Sequence, residues 1–255
     1  MIRRWQGVAA VTVVLVLLGT ACSDDTELDL PSRPDASGAG DDAQGDDGAS
    51  PRHGTTFHVA QAVGASLTVR SAPQPNADVA LTLSAGDEVS GTVVCLVAQE
   101  FGDDWIEVYL PTGAPGSTGW VERDDVTLTR HHFRIEVSLT DRTMSVYSGP
   151  DLVTTTPVGI GPDAPPADRH LFIKDLVRPP VPGLYGEYAY GLSGSSNDLD
   201  AFTAGSGVVA LHGTDDPAVL GTATDRGAIA VDATVMAHLV DTVGLPLGTP
   251  VEVVR

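Results

Sequence analysis

Cysteine is nearly absent: the 255-residue chain has two, Cys22 and Cys95. Lysine is scarcer, with Lys174 standing alone among fourteen basic residues, which face thirty-four acidic ones for a net charge of −20. That charge excludes a nucleic-acid partner and an electrostatic hold on anionic lipid. No long hydrophobic run is present either. Val8–Leu18, about eleven residues, falls short of the roughly 20 that a spanning helix needs.

What the first residues do contain is a targeting pattern. Arg3 and Arg4 supply a positive end, Val8–Leu18 the short apolar stretch, and Gly19-Thr20-Ala21 the small residues before Cys22. Small residues directly before a cysteine resemble a bacterial lipobox, although Gly19 stands where leucine is usual. Residues 1–22 are therefore read as a lipoprotein-type signal peptide, with cleavage before Cys22 and lipidation of Cys22 as the anchor. Ordinary secretion with an incidental Cys22 is the alternative. If Cys22 carries lipid, Cys95 is the last thiol and the mature chain has no disulfide. Cys95 sits in the apolar run Thr92–Val97, which marks it as buried and structural. Residues 23–53 lack large apolar side chains after Leu30. Rich in Asp, Gly, Ser and Pro, they cannot bury enough surface to offset their ordering entropy, and read as a disordered acidic linker.

Residues 54–130 read as a small all-β domain. Short runs, Phe57–Ala60, Ser66–Val69, Val79–Leu83, Ser90–Val94 and Trp105–Val108, are separated by turn signals such as Pro73-Gln74-Pro75-Asn76 and Ala85-Gly86-Asp87. Leu67-Thr68-Val69-Arg70, Leu83-Ser84-Ala85-Gly86-Asp87, Asp104–Val108 and Gly119-Trp120-Val121 together resemble a bacterial SH3 domain. Members of that family often bind cell-wall peptides or serve as spacers. Trp105 and Trp120 then have two readings, a peptide groove or core, of which core is preferred.

Residues 131–255 begin with a hairpin, Phe133–Leu139 turning at Thr140-Asp141-Arg142 into Thr143–Ser148. Strands are expected at Leu152–Val158, Gly159-Ile160-Gly161 and Leu171–Ile173, then a long loop from Arg178 to Asn197. A helix capped by Asp232 shows one apolar face (Val235, Met236, Leu239, Val240, Val243) and stops at Gly244 and Pro246. A final strand, Val251–Val254, closes the sheet.

The stretch that carries chemistry is Leu211-His212-Gly213-Thr214, then Pro217, Leu220-Gly221, Gly227 and Ile229. A histidine leaving a buried strand, followed by a Gly-led second strand, is how a nucleophile–base pair is often built. This pattern resembles the end of the L,D-transpeptidase (YkuD-type) catalytic domain, and Gly183–Gly194 resembles the same family. The resemblance implies a mainly β chain: a small SH3-like β-barrel followed by an L,D-transpeptidase-type β-sandwich or barrel with one helix near the C-terminus. It also implies a function on peptidoglycan stem peptides, in an exported protein at the outer face of the cytoplasmic membrane. His212 matches the family's base. The family's cysteine nucleophile, however, aligns with Ala228, and its following arginine with Ala230. A methyl group cannot attack a carbonyl.

The expectation is a catalytically inactive homologue that binds stem peptides through Gly213, Thr214, Tyr185, Tyr188, Arg226 and Gly227. The alternative is an active transpeptidase with an unconventional nucleophile, for which Thr222, Thr224 and Asp225 are the nearby candidates. Some of the binding residues have competing readings. Tyr185 and Tyr188 (with Tyr190) either contact substrate or pack over a sheet face, and Arg226 either grips a carboxylate or is a surface charge. One histidine among loop aspartates (Asp215, Asp216, Asp225) is a poor metal signal, so neither metal nor cofactor is expected. The residues leave the oligomeric state open.

Overall fold

The computed structural model describes residues 56–85, 91–101, 103–167, 170–179, 185–194, 210–224 and 229–255. The leader, Cys22, the acidic linker, and Asp225, Arg226, Gly227 and Ala228 lie outside the described residues. All described residues fall in one compact unit, Asp47–Arg255. The protein is mainly β, with a nearly closed, barrel-like sheet.

Seven strands form the first sheet: β1 (Phe57–Ala62), β2 (Ser66–Arg70), β3 (Val79–Ser84), β4 (Val94–Phe101), β5 (Trp105–Tyr109), β6 (Thr118–Glu122) and β7 (Val126–His131), in the order β3-β2-β6-β5-β4-β1-β7. Period-two alternation drives Leu67 and Val69, Ile106 and Val108, and Val121 into one core. Cys95 is fully buried there, and burial pushes its thiol up to about 12, so it stays protonated and inert. Trp105 is buried and Trp120 half-buried. The run expected as a strand over Ser90–Val94 is displaced: β4 begins at Val94. Gly91 has φ +60°, and a bulge between Val97 and Gln99 carries the strand past the apolar run into polar residues.

The second sheet contains β8 (Phe133–Ser138), β9 (Thr143–Ser148), β10 (Asp151–Pro157), β11 (Gly159–Ile160), β12 (His170–Val177), β13 (Ala189–Leu192), β14 (Ala210–Thr214), β15 (Ile229–Asp232) and β16 (Pro250–Val254). Their order is β10-β9-β8-β16-β12-β13-β14-β15-β11. The β8–β9 hairpin forms as its alternation requires. One expectation is corrected. The stretch Arg178–Asn197 is not a continuous loop, because it contains β13, all four residues of which are buried. Its Gly and Pro content masked a four-residue central strand. The expected last strand forms over Pro250–Val254. β16 lies inside the sheet, parallel to β8 and antiparallel to β12.

Helix α1 (Ala233–His238) starts where Asp232 accepts hydrogen bonds from the Thr234 and Val235 amides at 2.9 and 3.2 Å. Over Leu239–Val243 it widens into a π-helical stretch, and Gly244, at φ +64°, ends it in a left-handed cap. Met236 and Leu239 bury the apolar face in the second core. Among the described residues no helix is long and apolar enough to cross a membrane.

The two sheets touch closely. His132 alone separates β7 from β8. Phe57 and Leu96 of the first sheet enclose Phe172 of the second, with Tyr109 against them. The Gly194 amide donates to the Pro111 carbonyl at 3.1 Å.

Candidate functional site

β14 is the strand that positions the chemistry. It pairs antiparallel with β13 and parallel with β15, so His212 stands directly between Ala189 and Ala230. Strand pleating divides the neighbourhood into two faces. Tyr190, Leu211, Ile229 and Val231 point into the main core. Ala189, Ala210, His212 and Ala230 point to the other face, a floor of small side chains on which the imidazole is the large feature.

His212 is 5% exposed. Its Nδ1 lies 3.1 Å from the Gly213 carbonyl oxygen. Because that oxygen only accepts, Nδ1 carries the proton and Nε2 presents a lone pair. Nε2 is buried and makes no hydrogen bond among the described residues. The Tyr185 ring meets the imidazole edge-on at 4.9 Å between centroids. Burial lowers the imidazole's pKa, and the Gly213 bond offsets part of that shift. At neutral pH His212 is therefore an uncharged base, its tautomer set by its own backbone, and among the described residues its Nε2 meets no donor. That is the state a proton-abstracting histidine needs before its reaction partner arrives.

The other expected site residues divide. A Cβ on Gly213 would make ordinary contact with the Ala233 and Gly186 Cα atoms, each 3.4 Å away. A Cβ on Gly186, itself at φ +67°, would lie 3.0 Å from the Gly213 Cα. The Gly213 amide donates to the Tyr188 carbonyl at 3.3 Å. Thr214 Oγ1 accepts the Asp216 amide at 3.2 Å and Asp216 Oδ1 the Ala218 amide at 3.0 Å, so both side chains shape the turn after β14. The structure brings Tyr185 to His212 but places the Tyr188 side chain on the opposite face, in the main core. There its hydroxyl receives a hydrogen bond from Arg178 at 3.3 Å and donates to Asp241 at 3.2 Å. Burial pushes its phenol up, with Arg178 opposing. Tyr190 is likewise core, donating to the Leu245 carbonyl at 3.3 Å.

Of the candidate replacement nucleophiles, Thr222 donates its hydroxyl to the Val219 carbonyl at 2.8 Å. The backbone of Thr222 and Thr224 brackets Ile160 at 3.0 and 2.9 Å, extending the sheet beyond β11. Among the described residues no hydroxyl or thiol is bonded to His212 Nε2, and no cluster of three metal-ligating side chains occurs.

One residue on the floor escaped the sequence reading. Asp175 is paired with Gly191, and Gly191 with Ala210, which puts Asp175 on the His212 face. A Cβ built on Gly191 would collide with the Asp175 carboxylate, so that carboxylate lies across the glycine. The signal was present as Lys174-Asp175, two charges inside the apolar run Leu171–Val177.

No family model matches the chain, and no curated protein matches it. Among solved structures it is similar to Bd1075 of Bdellovibrio bacteriovorus, with 27% identity and a TM-score of 0.36. That match covers 48% of this chain and spans about half, 47%, of the other. It is also similar to L,D-transpeptidase 1 of Mycobacterium tuberculosis (16% identity, TM-score 0.36, 54% of this chain and 78% of that one). A third is an L,D-transpeptidase from Mycobacterium smegmatis (13% identity, TM-score 0.39, 73% and 99%). The structural neighbours named as L,D-transpeptidases thus lie at low sequence identity.

Proposed function

We propose that this protein binds peptidoglycan stem peptides on the His212 face of its second sheet and does not transfer them. The reading extends to an exported lipoprotein held at the envelope through Cys22, with residues 54–130 acting as an SH3-like companion domain. One observation carries it: His212 is held as a neutral base whose Nε2 has no hydrogen-bond partner among the described residues, while the aligned nucleophile position holds Ala228. Acyl transfer through an enzyme-bound thioester needs a side chain that attacks the carbonyl and gives its proton to the base. Alanine offers neither. A site that keeps its base and lacks its nucleophile retains shape for the peptide but no covalent step.

The same observation supports the second reading, an active L,D-transpeptidase with an unconventional nucleophile, since a poised base is otherwise without use. The two separate in one experiment. The full chain is incubated with a stem tetrapeptide donor and an amine acceptor, and cross-linked product is sought by mass spectrometry, beside an Ala228→Cys variant. The expected outcome is product from the variant alone. Product from the natural chain overturns the non-catalysing reading. Silence from both removes the transpeptidase-like site altogether.

A further inference from the structure

One cavity is lined wholly by the first sheet and its connections, and none of its lining residues belongs to the His212 site. It is open, has a volume of about 210 Å³, and is walled by Pro75, Asp104, Trp105, Glu122, Arg123 and Asp124. A single water needs only roughly 10–15 Å³. Strands β5 and β6 build it. Trp105 pairs with Glu122 across the two strands. The Arg123 amide donates to the Asp104 carbonyl at 2.8 Å, which ties the residues after β6 to those before β5. Asp104, Trp105 and Asp124 are thereby gathered at one end of the sheet.

Trp105 is not placed as a core residue. Ile106 and Val108 take the core face of β5, and alternation turns Trp105 to the other. Only 8% exposed, it still joins none of the apolar clusters among the described residues. Nor does its indole N–H meet an acceptor among them. A tryptophan this buried ordinarily satisfies that donor. The carboxylates divide. Glu122 is engaged by Arg70, Oε1 to Nε at 3.5 Å, and Arg123 also has a partner. Asp104 and Asp124 are exposed, and among the described residues no hydrogen bond or ion pair engages either side chain. The cavity therefore offers an aromatic wall, one unmet donor and two anionic acceptors.

A ligand has to match all three. A metal ion does not, because no cluster of three metal-ligating side chains occurs among the described residues. A basic side chain ends in one charged group and leaves the indole N–H unmet. A saturated ring with an ammonium and hydroxyls around its rim meets every group. Its C–H face lies against the indole, and its ammonium binds one carboxylate in the field of the aromatic wall. One hydroxyl donates to the other carboxylate, and a second accepts from the indole N–H. We propose that this cavity binds an amino sugar whose amine is free, with Asp104 and Asp124 as its acceptors and Trp105 as both platform and donor. The net charge of −20 draws such a cation toward the chain. The first sheet is then a binding module in its own right, and this inference does not depend on the stem-peptide reading.

The test compares ligands of matched length and charge on the full chain at low salt. Calorimetric titration uses a β-1,4-linked glucosamine tetramer, its fully N-acetylated counterpart, and an N-acetylated tetralysine amide that carries four ammonium groups and no sugar ring. The glucosamine tetramer is expected to bind about tenfold or more tighter than either of the others, the size of one charge-assisted contact. Asp104→Asn and Asp124→Asn, both at exposed positions, should each erase the preference for the free amine. Trp105→Phe, which keeps a ring and lacks the N–H, should weaken the glucosamine tetramer, and the Trp105 indole N–H resonance should shift on titration of the natural chain. Equal affinity for the acetylated tetramer overturns the role of the carboxylates. Tetralysine binding as tightly as the sugar reduces the cavity to an acidic patch and overturns the inference. So do Asn variants that bind like the natural chain, an indole resonance that does not move, and no binding by any of the three.

Discussion

His131 and His212 are each kept neutral by burial, and this makes the protein acid-sensitive in a defined direction. His131 accepts the Phe133 amide through Nδ1 at 3.1 Å and lies between the Phe57 and Phe133 rings, at 5.8 and 6.3 Å. Burial first, with the charge of His132 adding, lowers its pKa from 6.5 to about 4, against an opposing effect of Gly248. A lowered histidine pKa means that the unfolded chain takes up the proton first. The stabilisation is whole above about 6.5 and declines as the pH falls toward 4, below which both states are charged. His212 shifts in the same direction. Urea unfolding at pH 7 and pH 5, above most carboxylate titration, should show a loss of about 1 kcal/mol assignable to His131, the partial exposure of the ring discounted. A His131→Leu variant should lack that share. An identical pH slope in both proteins would contradict the assignment.

At the scale of elements, the short helix depends on its ends. Six α-helical residues cannot hold themselves in water, so α1 relies on Asp232 and on burial of Met236 and Leu239. Asp232→Ala should cost about 1 kcal/mol in urea unfolding, while Asp232→Asn, which keeps the acceptor, should cost little. Equal losses in the two would show that the charge, not the cap, matters. This helix was legible in the sequence because its cap, its apolar spacing and its Gly stop agree. The hairpin of β8 and β9 was legible for the same reason, clean alternation on either side of Thr140-Asp141-Arg142. What was not legible has physical causes. Alternation cannot locate β4 when a bulge shifts its phase between Val97 and Gln99. Nor can it find β13, where Ala189 and Gly191 look like loop while neighbours on both sides bury them. Within the site, His212 and Tyr185 could be named from the motif. That Tyr188 faces the other way, and that Asp175 faces the same way, follow from strand pairing, which one sequence does not display.

Over the whole molecule, the question is whether the two sheets unfold together. Phe172 is the residue to ask. It is 1% exposed, belongs to the second sheet, and is enclosed by Phe57 and Leu96 of the first. Its amide donates to the Ser193 hydroxyl oxygen at 3.0 Å, and its carbonyl accepts the Ser193 amide at 2.9 Å. The same short segment then reaches Pro111 through Gly194. A bulky ring at the centre of such a junction couples the sheets through burial rather than through charge, so the coupling should be insensitive to salt. Calorimetry of the natural chain is expected to show a single transition. Phe172→Ala, by leaving a cavity, should cost about 3–5 kcal/mol and resolve that transition into two. Ile135→Ala serves as the comparison, because Ile135 is fully buried within the second core alone. It should destabilise by about 2–5 kcal/mol without dividing the transition in the same way. Two transitions in the natural chain, or one undivided transition in Phe172→Ala, would mean that the sheets are not joined through this ring.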